Sequence, residues 1–139
     1  MKAENINNEQ LLDYAIKARK NSLCTISSYS VGAALLTKNG TIYIGSNIEE
    51  KIIPALSTCA ERAAIYNAIS NGENEFLKIA VVGGMINMKE DKTLIPCAMC
   101  LQFILDMAPN VDIVCYIDGK IVQKNVKDFL KVPYINEKI

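Results

Sequence analysis

Three of the five cysteines in this 139-residue chain lie in two short stretches, Thr58-Cys59-Ala60-Glu61-Arg62 and Pro96-Cys97-Ala98-Met99-Cys100. Three thiolates bind a zinc ion and leave one tetrahedral position open, the arrangement of a catalytic site rather than a closed structural one. Glu61 follows the first thiolate by two residues, where a carboxylate can handle the protons of a water at that open position. The chain contains no histidine. A nucleophile or base of the Ser-His or Cys-His kind is therefore excluded, and the chemistry must run on cysteine, carboxylate, lysine or metal.

Each motif also has a plainer reading. Cys-x-x-Cys alone suits a redox pair or half of a structural zinc site. Thr58-x-x-Glu61 is a capping-box pattern, in which the glutamate reaches back to the backbone that opens a helix. The three thiolates gain from being taken together. Cys97 and Cys100 stand at i and i+3 of a predicted helix and project to one side. That pair and Cys59 both fall at predicted helix N-termini, whose positive partial charge, with Arg62, offsets the excess negative charge of three thiolates on zinc.

The elements that must hold these residues follow from periodicity. Leu11, Leu12, Ala15, Ile16 and Ala18 recur at helical spacing, with Asn7 or Asn8 as the cap. Val31 to Thr37 and Thr41 to Gly45 read as two strands joined by Lys38-Asn39-Gly40, a hairpin signal. Cys59 begins a second helix rich in alanine, stopped by Asn71-Gly72. Phe76 to Val82 is a strand, Gly83 to Ile95 a loop, and Pro96 opens a helix from Cys97 to Met107. Val111 to Ile117 and Ile121 to Gln123 are strands, and Val126 to Lys131 a final helix. A hairpin followed by alternating strands and helices predicts an α/β fold, a mixed sheet with helices on both faces.

Cys-Ala-Glu-Arg, followed after about 35 residues by Pro-Cys-x-x-Cys, resembles the signature of the zinc deaminases, specifically the small, all-cysteine cytidine deaminases. Val31 to Leu36 resembles that family's first core strand and Gly45-Ser46-Asn47-Ile48-Glu49 its Asn-x-Glu substrate strand. From Leu11 to Tyr134 the chain follows the family in order. The resemblance implies a three-layer α-β-α sandwich with a mixed five-stranded sheet, residues 1–139 forming one domain. It implies Zn²⁺ held by Cys59, Cys97 and Cys100, and Glu61 as the proton shuttle for hydrolytic attack at C4 of cytidine or deoxycytidine in pyrimidine salvage. Asn47 and Glu49 would bind the ribose, although period-2 spacing alone makes them an ordinary solvated edge. Tyr29 would pack on the pyrimidine, and Ala60 would also contact substrate. The family's homotetramers complete each site from a neighbouring subunit with an aromatic near the C-terminus, where this chain has Tyr134. The Ala60 to Ala68 helix suits close packing at the centre of such an assembly, or equally within one subunit.

Three stretches depart from the family pattern. Ala98 and Leu101 stand where the family has Gly and Arg, while Gln102 is kept; Glu50 to Ser57 and Gly83 to Ile95 differ throughout. Those segments border the substrate. They leave open a deaminase of a modified cytosine nucleoside of the blasticidin type. A non-catalytic zinc-stabilised module would need a fourth protein ligand, and only Cys24 or Cys115 could readily supply another thiolate.

Charge and composition narrow the remaining classes. Lys plus Arg and Asp plus Glu each number 15, so the net charge is zero, which argues against gripping a nucleic-acid backbone. No apolar run approaches the roughly 20 residues of a membrane span. The opening Met1-Lys2-Ala3-Glu4-Asn5 is not a signal peptide, and an odd cysteine count suits reduced thiols in the cytoplasm.

Overall fold

Asn7 is the cap of the first helix: its side chain accepts from the Gln10 N–H while Gln10 reaches back to the Asn7 N–H, a reciprocal capping box that opens α1, Asn8–Ala18. The computed structural model describes residues 5–137; residues 1–4, read above for a targeting signal, lie outside them. A 3₁₀ turn, Arg19–Asn21, prolongs α1. The strands are β1, Tyr29–Thr37; β2, Ile42–Ser46; β3, Phe76–Met85; β4, Asp112–Ile117; and β5, Lys120–Asn125. The remaining helices are α2, Ala60–Ser70; α3, Ala98–Met107; and α4, Val126–Phe129.

The five strands form one mixed sheet in the order β2-β1-β3-β4-β5. Only β3 and β4 run parallel, as expected where α3 forms the crossover between them. Alternation along each strand separates two cores. Ala34, Leu36, Ala80, Val82 and Val114 face α1 through Leu11, Leu12 and Ala15. Ala33, Leu35, Ile79, Val81, Ile113 and Cys115 face Ala64, Ile65 and Ala68 of α2 and Leu101 and Ile104 of α3. The result is the three-layer α-β-α sandwich with a mixed five-stranded sheet. The alanine face of α2 is used within the chain. Among the described residues, no helix is long and apolar enough to cross a membrane.

Two glycines let the layers approach. A Cβ on Gly32 would strike the Ala15 carbonyl oxygen of α1, and one on Gly45 would strike Ala64 N and Ala60 O of α2. The helix that carries Glu61 therefore rests directly on β2.

Several boundaries differ from the sequence reading. β3 runs on to Met85 because Gly83 and Gly84 pair with Val31 and Ser30 of β1; two glycines resemble a loop in sequence, but the neighbouring strand continues and pairs them. The Lys38-Asn39-Gly40 turn places only Gly40 at positive φ, +87°, and Thr37 N donates to Thr41 O across it. Asp118 and Gly119 both take positive φ, the tight hairpin turn that joins β4 to β5. Asn47 to Glu49 lie beyond the end of β2. Ile48 is held there by isolated bridges to Leu23 and Thr58.

Candidate metal centre and active site

Cys59 and Cys97 are the N-cap residues of α2 and α3, and neither side chain makes a capping hydrogen bond. Helix α3 thus begins at Ala98, with Pro96 outside it, before the N-cap rather than in the first turn. Cys100 occupies the third position of α3, facing back toward the cap. The three sulfurs lie within 4.8 Å of one another. Tetrahedral zinc with bonds of about 2.3 Å sets its sulfurs about 3.8 Å apart, so the donor set fits the ion with small adjustment. Two helix N-termini point their positive ends at it, and Arg62 Nη2 donates to Cys59 Sγ at 3.5 Å.

The remaining thiols stay apart from this cluster. Cys115 is buried in β4, and Cys24 lines a separate pocket beside Arg19. Neither supplies the fourth thiolate that a closed structural site requires.

The electrostatics of the metal-free cluster follow from who donates to whom. Cys100 donates to Cys59, which together with Arg62 lowers the Cys59 thiol to about 5. Cys100 is held protonated by the same contact and by burial, its pKa pushed well above the usual thiol range. Glu61 sits in the first turn of α2 and is only 4% exposed. Burial, with a smaller contribution from the Cys59 charge, raises its carboxyl to about 7. The capping-box reading of Thr58 does not survive: the N-cap is one residue later, Cys59, and the helix begins at Ala60. Glu61 is left free of that duty.

A cavity of about 200 Å³ opens onto the cluster, lined by Val31, Asn47, Cys59, Ala60, Glu61, Val81, Leu94, Ile95 and Cys97. It brings together two of the thiolates, the glutamate, Ala60 and Asn47. A larger cavity, lined by Leu105, Leu130, Pro133 and Tyr134 among others, contains none of the metal ligands.

Asn47 is fastened from β1: its Oδ1 accepts from Val31 N at 2.8 Å and from the Ser22 hydroxyl, and its Nδ2 donates to Tyr29 O at 2.9 Å. Its second amide hydrogen remains for a ligand. Glu49 is outside the lining set. Its Oε1 accepts from Ile26 N and Ser27 N, both at 3.0 Å, and hydrogen bonding from the Ser27 hydroxyl and backbone holds its carboxyl below the usual range. Tyr29 is also outside the lining set, its hydroxyl donating to Asp91 Oδ2 at 2.7 Å. Tyr134 is 72% exposed and borders the larger cavity. Gln102 accepts from its N–H at 2.8 Å and donates to its carbonyl at 3.0 Å, which gives the retained Gln102 a defined task. Leu101, standing where the family has Arg, is buried in the core.

Sequence reasoning missed the apolar walls, Val31, Val81, Leu94 and Ile95. The valines are marked only by strand alternation, and the last two come from a segment without regular structure. It also missed Arg19, 8% exposed, whose guanidinium donates to Ser30, to the carbonyls of Met85 and Met88, and to Glu90. Nothing in the helical pattern of residues 11–19 distinguishes that arginine from a solvated one.

Comparison with known proteins agrees with this geometry. The family model described as "Cytidine and deoxycytidylate deaminase zinc-binding region" matches residues 5–116. A blasticidin-S deaminase of Bacillus cereus is 31% identical over 138 residues, covering 96% of this chain and 98% of that protein. A cytidine deaminase of Sporosarcina psychrophila is 38% identical over 98 residues, covering 70% of this chain and 68% of the relative. The crystal structure of cytidine deaminase from Burkholderia pseudomallei superposes with a TM-score of 0.81 at 29% identity, covering 93% of this chain and all of that one. Sheet order, thiolate cluster and family match agree, and the chain belongs to the cytidine and deoxycytidylate deaminase family.

Proposed function

We propose that this chain hydrolyses the 4-amino group of cytidine or deoxycytidine, giving uridine or deoxyuridine and ammonia, as one zinc-dependent domain. The observation that carries the reading is the buried Glu61 lining the same small cavity as Cys59 and Cys97. Zinc on the three thiolates supplies a Lewis acid that makes water acidic enough to attack near neutral pH.

The chain's own residues do the rest. Glu61 takes one proton of the attacking water and gives it to ring N3, then takes the second from the hydroxyl now on C4 and gives it to the departing ammonia. A carboxyl raised to about 7 by its surroundings is poised both to accept and to return a proton near neutrality. Asn47, held by β1, offers its remaining amide hydrogen to the sugar, with Glu49 beside it. Ala60, Val31, Val81 and Leu94 give the apolar enclosure that a planar ring needs and keep bulk water out.

A second reading is a deaminase of a modified cytosine nucleoside of the blasticidin type. The observation favouring it is coverage: the blasticidin-S deaminase aligns over 96% of this chain, against 70% for the cytidine deaminase of S. psychrophila. Both substrates present an aminopyrimidine to Glu61, so the two readings share one mechanism and differ in the sugar-side contacts. Following ammonia release from cytidine, deoxycytidine and blasticidin S side by side separates them. Turnover of the antibiotic alone would remove the nucleoside-salvage assignment.

We further propose a cytoplasmic homotetramer in which Tyr134 of one subunit closes the cavity of a neighbour. Its exposure, and its absence from the lining of its own chain's cavity, suit that role.

A further inference from the structure

Residues 86–95 supply one wall of the cavity, through Leu94 and Ile95, yet form neither helix nor strand. Such a segment holds its place only through individual ties. At its start, Arg19 Nη2 donates to the Met85 and Met88 carbonyls at 3.2 and 3.3 Å, and Nη1 pairs with Glu90 at 3.2 Å. Asp91 N donates to Gly83 O at 2.7 Å and Leu94 N to Tyr116 O at 3.1 Å. Between these lies the hydrogen bond from the Tyr29 hydroxyl to Asp91, three residues before Leu94. Burial, with the hydrogen bond to Asp91 next, raises the Tyr29 hydroxyl to about 12, so it remains a donor at any working pH.

Gly83 is where these parts meet. A Cβ there would come within 2.8 Å of Leu94 Cδ2, 2.9 Å of Tyr29 Cε2 and 3.1 Å of the Tyr29 hydroxyl. The Tyr29 ring and the Leu94 side chain thus converge on one point of β3, in the volume a larger residue would fill. Tyr29 is tied to the segment at Asp91 and packed toward Leu94 at Gly83, without lining the cavity itself.

We propose that Tyr29 is a positioning residue: its hydrogen bond to Asp91, and its packing with Leu94 at Gly83, set the wall against which the aminopyrimidine is held. This role replaces direct stacking on the ring, and it rests on the reading of the cavity as the nucleoside site. Asp91 becomes a functional partner of Tyr29, and the pair acts on substrate binding through Leu94.

The test uses the zinc-loaded full chain as wild type, Tyr29→Phe, Asp91→Ala and the double variant. Amide hydrogen exchange over residues 86–95 is read without substrate, and KM and kcat are read with whichever aminopyrimidine nucleoside the wild type turns over. Losing one hydrogen bond should speed exchange in this segment by roughly three- to tenfold, in each single variant alike and no further in the double. KM should rise by a similar factor, with kcat held within about twofold and zinc retained. Unchanged exchange in Tyr29→Phe, additive effects in the double, or a fall in kcat at constant KM would each overturn the proposal. Should Asp91→Ala fail to fold, Asp91→Asn takes its place under the same criteria. Because exchange needs no substrate, an inactive wild type would sink the deaminase reading separately, and the tie between Tyr29 and Asp91 would still be measured.

Discussion

Replacing Glu61 with Gln separates chemistry from architecture, because the two side chains have nearly the same shape and only the first carries a proton. Proton transfer by a placed carboxylate contributes about 10²–10⁴-fold to rate. Here one carboxylate serves the water, ring N3 and the leaving ammonia, so kcat should fall by about 10⁴-fold or more with zinc retained. Stability should move the other way. Glu61 titrates at about 7 in the folded metal-free chain, against 4.5 ordinarily. A folded pKa above the unfolded one gives stability that is whole below about 4.5 and is lost as pH rises through 7. By pH 8 the buried carboxylate therefore costs the metal-free fold about 3 kcal/mol, and Gln does not carry that cost. Metal-free Glu61→Gln should melt roughly 10 °C above wild type at pH 8, the gap closing toward pH 4.5. Turnover is followed by ultraviolet absorbance and melting by calorimetry across pH. A variant with near wild-type turnover, or one that melts lower at pH 8, would refute the assignment of Glu61 as a buried proton carrier.

Other consequences follow from the same geometry. Cys97→Ala and Cys100→Ala should each lose the single zinc per chain, read by metal analysis; a native disulfide with no metal would contradict the site. Zinc binding near pH 7 should release at least one proton per ion, because Cys100 is held protonated beside Cys59, so affinity should weaken as pH falls; calorimetry in buffers of different ionisation enthalpy reads that release. Gly45→Ala should destabilise by about 1–3 kcal/mol or more, since its Cβ would strike Ala60 O and Ala64 N, and metal retention should drop as α2 shifts. Tyr134→Ala should weaken substrate binding more than zinc binding in a tetramer, and light scattering that finds a fully active monomer would contradict the shared site.

Much of this was legible in the sequence because the informative residues are local. Cys59 with Glu61, and Cys97 with Cys100, are each fixed relative to one another by a single helical turn. The continuous apolar runs at residues 33–36 and 79–82 suit strands buried on both faces. What stayed hidden depends on partners distant in sequence. Gly83 and Gly84 read as loop because only β1 makes them strand. The tie between Tyr29 and Asp91, 62 positions apart, is visible only in the fold. The buried Arg19 looks like any polar residue at the end of an amphipathic helix until Ser30, Met85 and Glu90 close around it. The 91–95 wall has no pattern of its own, being set by ties to β1, β3 and β4. Asn47 and Glu49 stand out by motif, yet their backbone lies past the end of β2, and Asn47 Oδ1 and Glu49 Oε1 already accept hydrogen bonds within the chain.

The most direct measurement is ammonia release from cytidine by protein verified to carry one zinc per chain. The account predicts one ammonia and one uridine per cytidine consumed, abolished by removing the metal and restored by returning it. A fully zinc-loaded chain that releases no ammonia from cytidine or deoxycytidine would contradict it.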